Sequence, residues 1–318
     1  MVKIALRILL VISVIAWIFI LSGGHPLLLT IFLVQKVMLF RHLVLEPQIY
    51  YWLPGWEGQL ASGILLGGST QFDPVVRNIY ITTGLVHIVA ASGFNVALIA
   101  RTAEISLSRF INRLHVIPIV IVCIILYAIL CGLQASIVRA ALMSIAVYTG
   151  RLLGKPANVI WILLLTIVAM LIINFSYLTD IGFQLSVAAT LGLVLWQPKN
   201  ELQTTLVANA MVIPLIVHHF GQLSLYAIPA NLLVAPVVAP ITYLTGLGLL
   251  VGPVMWLAWP LLKYMNLVAQ FFSILPYAKL AMPRISWWWV GLYYIVIATI
   301  YVRLKLLGSS RPDPSAKF

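Results

Sequence analysis

Polar side chains that could contact water or a solute occur inside an apolar stretch of the chain, Gly84 to Arg101. His87 and Asn95 are eight residues apart, so both project from the same side of a helix. Ser92 and Gly93 lie between them, and glycine weakens a helix by about 1 kcal/mol relative to alanine, which favours a break at this point. Polar groups beside a break at bilayer depth are typical of a cavity that a solute can enter. The alternative is that they hydrogen-bond neighbouring helices.

Four more polar residues lie in apolar surroundings: Arg139, Asp180, Gln184 and Asn231. Arg139 can extend its side chain to the membrane interface, or it can pair with Asp180 across a polar cavity and hold two helices in register. Asp180 can instead cap the helix that follows it, where a carboxylate suits the helix dipole, and Gln184 lies one turn further on. Asn231 can bond to carbonyls freed by prolines, because Leu223–Pro240 contains three of them and is predicted not to form one continuous helix.

Residue types that bind metals or cofactors do not occur at the required spacings. His218 and His219 are adjacent, so they point in different directions from a helix and make a poor metal pair. Cys123 and Cys131 would lie about 12 Å apart along one helix, too far for a disulfide. The chain contains no CxxC, HExxH, P-loop or GxGxxG motif. We therefore expect no metal, no cofactor and no enzymatic activity.

The elements that position these residues are expected to lie in a membrane. Of the 318 residues, 63% are hydrophobic and 8% are charged, whereas soluble domains are about 45–50% apolar and 25% charged. The sequence predicts an all-α fold, a polytopic helical membrane bundle of about ten spans with broken or re-entrant helices. The net charge of +12 is expected to mark cytoplasmic loops, with both termini in the cytoplasm, and it would also suit an anionic substrate or lipid headgroups.

Four segments follow from the pattern of apolar and polar stretches. Residues 1–52 are predicted to hold an N-terminal anchor helix and an amphipathic interfacial helix, with a signal peptide as the alternative for the first part. Residues 53–252 form the core, in which Asp73 before Pro74 predicts the start of a short helix that carries Arg77. Residues 253–307 are predicted to form C-terminal membrane helices and 308–318 a polar cytoplasmic tail.

Four motifs, in order, resemble the competence domain of the ComEC family. The first is similar to the family's Asp-Pro…Arg…Thr-Gly…His…Ser-Gly-x-His-Val signature, and the second to its Pro-Ser-x-x-Arg-Ala segment. The motifs are FDPVVRNIYITTGLVHIVAASGFNVALIA (Phe72–Ala100), SIVRAALM (Ser136–Met143), DIGFQLSVAATLGL (Asp180–Leu193) and HFGQLSLYAIPANLLVAPVV (His219–Val238). The resemblance runs from about residue 53 to residue 252, so it identifies the core as a competence-type channel.

Two positions depart from the family pattern. Asn95 stands where the family usually has a second histidine, and asparagine cannot take a proton. Ala135 replaces the usual proline. The chain also has no His-x-His-x-Asp ligand set and no β-rich stretch of OB-domain length. We therefore expect a bare channel without the metallo-β-lactamase-like and OB-type domains of many family members.

The resemblance implies an inner-membrane channel that passes one DNA strand into the cytoplasm during natural transformation. Its implied partners are single-stranded DNA, a cytoplasmic helicase-like ATPase, an extracytoplasmic DNA receptor and a separate nuclease or OB-domain protein; a homo-oligomer is left open. The residues expected to line the DNA path are His87, Ser92, Gly93, Asn95, Arg139, Gln184 and Asn231. Those expected at the channel mouth or in structural polar roles are Arg77, Asp180 and His219.

Two other functions remain open on the residues alone. A proton-coupled small-molecule permease could use Asp180 and His87 as a proton pair, and it predicts flux that does not depend on DNA. An integral-membrane enzyme could use the same two residues as acid and base, and it predicts loss of turnover when either is replaced.

Overall fold

A computed structural model describes residues 34–67, 72–89, 92–155 and 157–309. Within these ranges the chain is a bundle of helices, with one two-stranded sheet. Residues 34–40 and the π-helical turn Arg41–Leu45 lead directly into the first complete α-helix. The α-helices are α1 (Glu46–Trp52), α2 (Trp56–Leu66), α3 (Pro74–Thr82), α4 (Val86–Val89), α5 (Gly93–Leu107), α6 (Arg113–Leu130), α7 (Ala135–Leu152), α8 (Val159–Ile173), α9 (Ile181–Trp196), α10 (Glu201–Phe220), α11 (Ala227–Gly248), α12 (Trp259–Ile274) and α13 (Trp287–Ser309).

Helix starts follow the capping chemistry of the sequence. Asp73 accepts a hydrogen bond from the amide of Val75 at 2.8 Å and precedes Pro74, so the predicted start of α3 is confirmed. Asn158 and Asn200 cap α8 and α10 in the same way. A side-chain oxygen at these positions satisfies one of the helix's free amides, which is why the short polar residues mark the boundaries.

The apolar core has two large parts and one small one. The first part joins α1, α2, α3 and α4 to α11 and α12. The second is formed by α5, α6 and α7. A smaller cluster, built on Ala188, Leu215 and Val290, joins α9, α10 and α13. The hydroxyls of Thr102 and Tyr243, 2.8 Å apart, link α5 of the second part to α11 of the first.

Prolines inside α10 and α11 do not break these helices. Pro214 cannot donate to the carbonyl of Ala210, and the hydroxyl of Tyr293 on α13 donates to that carbonyl instead, at 2.8 Å. The next carbonyl accepts from Tyr294, also at 2.8 Å. Leu223–Pro240 is not one continuous helix, as predicted, because a short strand ends at Ser224 and α11 begins only at Ala227. The prolines are not the cause, since α11 runs through Pro236 and Pro240 to Gly248. Neighbouring helices support it, and Tyr264 of α12 donates to the carbonyl of Leu233, 3.2 Å away.

The strands β1 (Gln222–Ser224) and β2 (Lys279–Ala281) pair antiparallel, with Leu223 opposite Leu280. Gly221 ends α10 with φ +60° and leads into β1, a backbone conformation that side chains other than glycine's rarely adopt. This short sheet fastens the chain after α10 to the segment that precedes α13.

The predicted helical bundle is confirmed for the described residues. Two of its helices, α10 and α11, are long and apolar enough to cross a membrane, and three shorter apolar helices occur at Leu114–Leu130, α8 and α9. The larger number of spans remains a prediction, as do the boundaries of the four segments. The predicted anchor helix lies outside the described residues, as does the end of the polar tail.

Candidate functional site

The C-terminal end of α2 is buried inside the bundle. Ser62, Ile64, Leu65 and Leu66 are all nearly inaccessible. The last four carbonyls of any α-helix have no partner within the helix, and in a buried position each must find a donor elsewhere. The end of α2 therefore needs side-chain donors from other elements.

Three helical elements supply these donors. Asn95 on α5 donates through Nδ2 to the carbonyl of Ile64 at 2.6 Å, and the hydroxyl of Tyr127 on α6 donates to that of Leu65 at 2.8 Å. Arg41 donates through Nη2 to the carbonyl of Gly67. The Arg41 guanidinium is itself held by a buried ion pair with Glu46, 2.8 Å from Nε to Oε1. The helix end is thus fixed by contacts between segments far apart in the chain.

The predicted break in the Gly84–Arg101 stretch is confirmed and lies beside this helix end. Helix α4 ends at Val89, and α5 begins at Gly93 with Ser92 in the N-cap position, where its side chain makes no capping hydrogen bond. Gly63 of α2 packs against the break, since a Cβ there would come within 2.7 Å of the carbonyl oxygen of Val89. The C-terminal end of one helix and the break in another therefore meet at one place, as in the discontinuous helices of transport proteins.

Arg139 on α7 lies next to the start of α5. Its side chain is buried, with 6% of the residue exposed. Nε donates to the Ser186 hydroxyl at 3.0 Å, and Nη1 donates to the Thr190 hydroxyl and contacts the Met143 sulfur at 3.7 Å. Nη2 lies 3.7 Å from the position that a Cβ on Gly93 would occupy. Arg139 thus joins α7 to α9 and faces the first residue of α5.

The predicted pairing of Arg139 with Asp180 is wrong. Asp180 is exposed, and its Oδ1 accepts a hydrogen bond from the Phe183 amide at 2.6 Å, so that it caps α9. This confirms the alternative that Asp180 is an N-cap. The guanidinium instead contacts α9 at Ser186 and Thr190, about 9 Å or more along the helix axis from Asp180.

Gln184 and His219 lie together, away from the partners of Arg139. Nε2 of His219, at the end of α10, is 2.7 Å from Oε1 of Gln184, whose Nε2 donates to the Leu178 carbonyl at 2.7 Å. His218 lies beside them, with Nδ1 2.6 Å from the Ile285 carbonyl and its ring centroid 4.1 Å from that of Trp287. These contacts tie the start of α9 and the end of α10 to the start of α13.

The remaining predicted residues lie in three different settings. His87 is exposed, and its Nδ1 lies 2.9 Å from the carbonyl of Gly84. Arg77 is exposed on α3. Asn231 is buried in α11, and its Oδ1 has no hydrogen-bond partner among the residues described. The structure therefore brings together Ser92, Gly93 and Arg139, and separately Gln184 and His219. The proposed roles of all these residues in a DNA path remain predictions.

Several residues of the site were not predicted. The hydrogen bonds described above also involve Tyr127, Ser186 and Thr190. A hydroxyl side chain in an apolar run gives no local signal of its partner. Arg41 lies in the segment predicted to form an amphipathic interfacial helix, where a charged residue gives no signal of a buried partner. Gly63 could have been recognised by the small-residue pair that it forms with Ser62 in a short apolar segment.

Comparison with known proteins agrees with the motifs. The family model described as "Competence protein" matches residues 64–307. The chain is 28% identical over 194 residues to ComE operon protein 3 of Bacillus subtilis (strain 168). That alignment covers 58% of this chain and 25% of the relative, so the chain spans about a quarter of that protein's length. No solved structure matches the chain. The family model covers most of the chain, including the end of α2, the start of α5 and all four motifs. This protein therefore belongs to the ComEC family of competence proteins.

Proposed function

We propose that this chain forms the path by which a single DNA strand crosses the inner membrane into the cytoplasm during natural transformation. Family membership supports a role in competence. The observation that carries the proposal is Arg139, a buried cation with no acidic partner among the described residues, placed beside a broken helix. A phosphate backbone passing an apolar bundle needs such a positive and polar lining.

The energetics favour a functional reason for Arg139. A charged side chain costs about 2.5–3.5 kcal/mol at the centre of a spanning helix on insertion scales, and less for Arg139, which is the fifth residue of α7. Buried cations in proteins are normally paired, as Arg41 is with Glu46. An unpaired buried arginine therefore suits an anion that enters from outside the chain. In this proposal His87, Ser92, Asn95, Gln184 and Asn231 contribute to the same path, and Arg77 and His219 lie towards its mouth.

The proposal includes a multi-pass topology in the inner membrane with both termini in the cytoplasm. The chain itself carries no P-loop, so a cytoplasmic helicase-like ATPase supplies the inward force and the chain is a conduit rather than an enzyme. A receptor outside the membrane delivers the DNA, and a separate protein supplies any nuclease or OB-type domain.

The test measures entry of labelled DNA into the cytoplasm of a competent strain. A deletion strain is complemented with the wild type, with Arg139→Gln or with Arg151→Gln. Arg151 is the matched control, since it lies on the same helix but is half exposed and 3.4 Å from Glu104. We expect DNA to remain outside in the deletion and Arg139→Gln strains and to enter in the other two. Undiminished entry in the deletion strain would refute the proposal and leave DNA-independent, proton-coupled flux as the function to measure.

A further inference from the structure

Arg139 has N–H donors that no described residue uses. A guanidinium carries five N–H donors. Those on Nε and Nη1 face Ser186, Thr190 and the Met143 sulfur. Among the described residues Nη2 has no hydrogen-bond partner, and Nη2 is the guanidinium nitrogen nearest to Gly93.

No carboxylate of the described chain neutralises this charge. The whole sequence contains seven acidic residues, and Asp313 alone lies outside the described ranges. The other six are engaged elsewhere or exposed: Glu46 pairs with Arg41, Glu57 with Lys263 and Glu104 with Arg151, while Asp73 and Asp180 cap helices and Glu201 is exposed at the start of α10. None of the described carboxylates is therefore placed to neutralise Arg139, which suits an anion that binds from outside the chain.

The start of α5 provides further donors at the same place. The first amides of a helix have no partner within it, and the helix dipole adds partial positive charge there. Helix α5 is 15 residues long, and the Ser92 hydroxyl makes no capping bond. Gly93 carries no side chain, and a Cβ there would stand between Ala140, at 3.0 Å, and Nη2, at 3.7 Å. Because Gly93 has no side chain, the start of α5 packs closely against α7 and lies next to the guanidinium.

We propose that Arg139 and the N-terminal end of α5 form a binding site for one phosphate group. Nη2, the amides of Gly93 and Phe94, and the Ser92 hydroxyl are the donors. A phosphate oxygen suits both an arginine fork and a helix N-terminus. The hydroxyls of Ser186 and Thr190 hold the guanidinium in position from the opposite side. This inference rests on the proposed function, in which the phosphate belongs to the DNA strand. Inorganic phosphate and lipid headgroups carry the same kind of phosphate oxygens.

Binding is tested on the full chain purified in maltoside micelles, which contain no phosphate. The probes are a fluorescent oligothymidylate, its uncharged methylphosphonate analogue and inorganic phosphate. We expect the charged oligonucleotide to bind more tightly and to be displaced by inorganic phosphate. In Arg139→Gln its affinity should fall by about tenfold or more, the usual effect of losing a hydrogen bond to a charged group. Arg139→Lys should lose part of the affinity, and Arg151→Gln none.

The outcomes separate the possible ligands and the two proposals. Equal affinity of the two oligonucleotides for the wild type would overturn the site, and this comparison remains decisive if Arg139→Gln does not fold. Stabilisation against heat by added phosphatidylglycerol, without any by phosphate, would assign the site to a lipid headgroup and would overturn its assignment to the DNA strand. If Arg139→Gln binds DNA normally in micelles but does not import it in cells, the site is refuted and the proposed function stands. If binding is lost but import continues, the site stands and the DNA path lies elsewhere.

Discussion

The hydroxyl of Tyr293 is predicted to compensate for the proline inside α10. Pro214 has no N–H, so the Ala210 carbonyl loses its partner within the helix, and the Tyr293 hydroxyl donates to it from 2.8 Å. Tyr293→Phe removes that donor and nothing else. Leaving a fully buried acceptor without a partner costs about 1–3 kcal/mol, but the Tyr293–Ala210 bond is only partly buried. Hydrogen bonds between membrane helices average about 0.6 kcal/mol in double-mutant cycles. We expect a loss of about 1 kcal/mol in the free energy of unfolding.

A double-mutant cycle isolates the free energy that the Tyr293 hydroxyl contributes by replacing the donor that Pro214 lacks. Pro214→Ala restores an amide that can donate to the Ala210 carbonyl, so Tyr293→Phe should cost close to nothing in that background. Tyr294→Phe is the matched control, because its partner, the Met211 carbonyl, can also accept from the backbone amide of Leu215. Its cost should change little between the two backgrounds.

The assay is thermal unfolding of the purified variants in detergent, in which about 1 kcal/mol corresponds to a shift in the midpoint of about 2 °C. The reasoning fails if Tyr293→Phe lowers the midpoint equally with and without Pro214. That result would mean that the hydroxyl stabilises the packing of α13 for a reason unrelated to the proline.

Three other substitutions test the geometry of the site. Gly63→Ala should lower the thermal midpoint clearly, because its Cβ would lie 2.6 Å from the Phe72 ring and 2.7 Å from the Val89 carbonyl oxygen. Gly150→Ala is the control and should have little effect, since the nearest neighbour of its Cβ would be 3.4 Å away. Equal midpoints for the two variants would contradict the close approach of α2 to the break. Asn95→Leu removes the donor to the Ile64 carbonyl at the end of α2 and should lower the free energy of unfolding by about 1–3 kcal/mol. Asn95→Asp should lower it at least as much, because a carboxylate cannot donate. An Asn95→Asp variant as stable as the wild type would argue against this bond. Asp180→Ala should lower the free energy of unfolding by about 1 kcal/mol and Asp180→Ser almost not at all, and both variants should still import DNA. Loss of import in Asp180→Ser would show that the carboxylate does more than cap α9.

Features governed by neighbouring residues could be predicted from the sequence. The caps at Asp73 and Asp180 depend on amides two or three residues away, and the break before Gly93 depends on the weak helix propensity of its own segment. The helical character follows from the composition, and the order of four motifs points to the family that the comparison confirms. All of these signals are local or are read along the chain.

The tertiary structure decided the features that depend on distant partners. From the sequence, Arg139 can extend to the membrane interface or pair with Asp180. The packing of α7 against α9 instead selected Ser186 and Thr190, 47 and 51 residues away. The prolines of α11 predicted an interruption, but that helix continues through Pro236 and Pro240. The sequence shows that Asn95 is polar and lies in an apolar helix, but not that its partner is the end of α2, 31 residues earlier. The sequence shows which polar groups need a partner, because residue type gives their polarity and the apolar residues around them indicate that they are buried. Which partner each group finds depends on how helices far apart in the chain pack together, and only the folded bundle determines that.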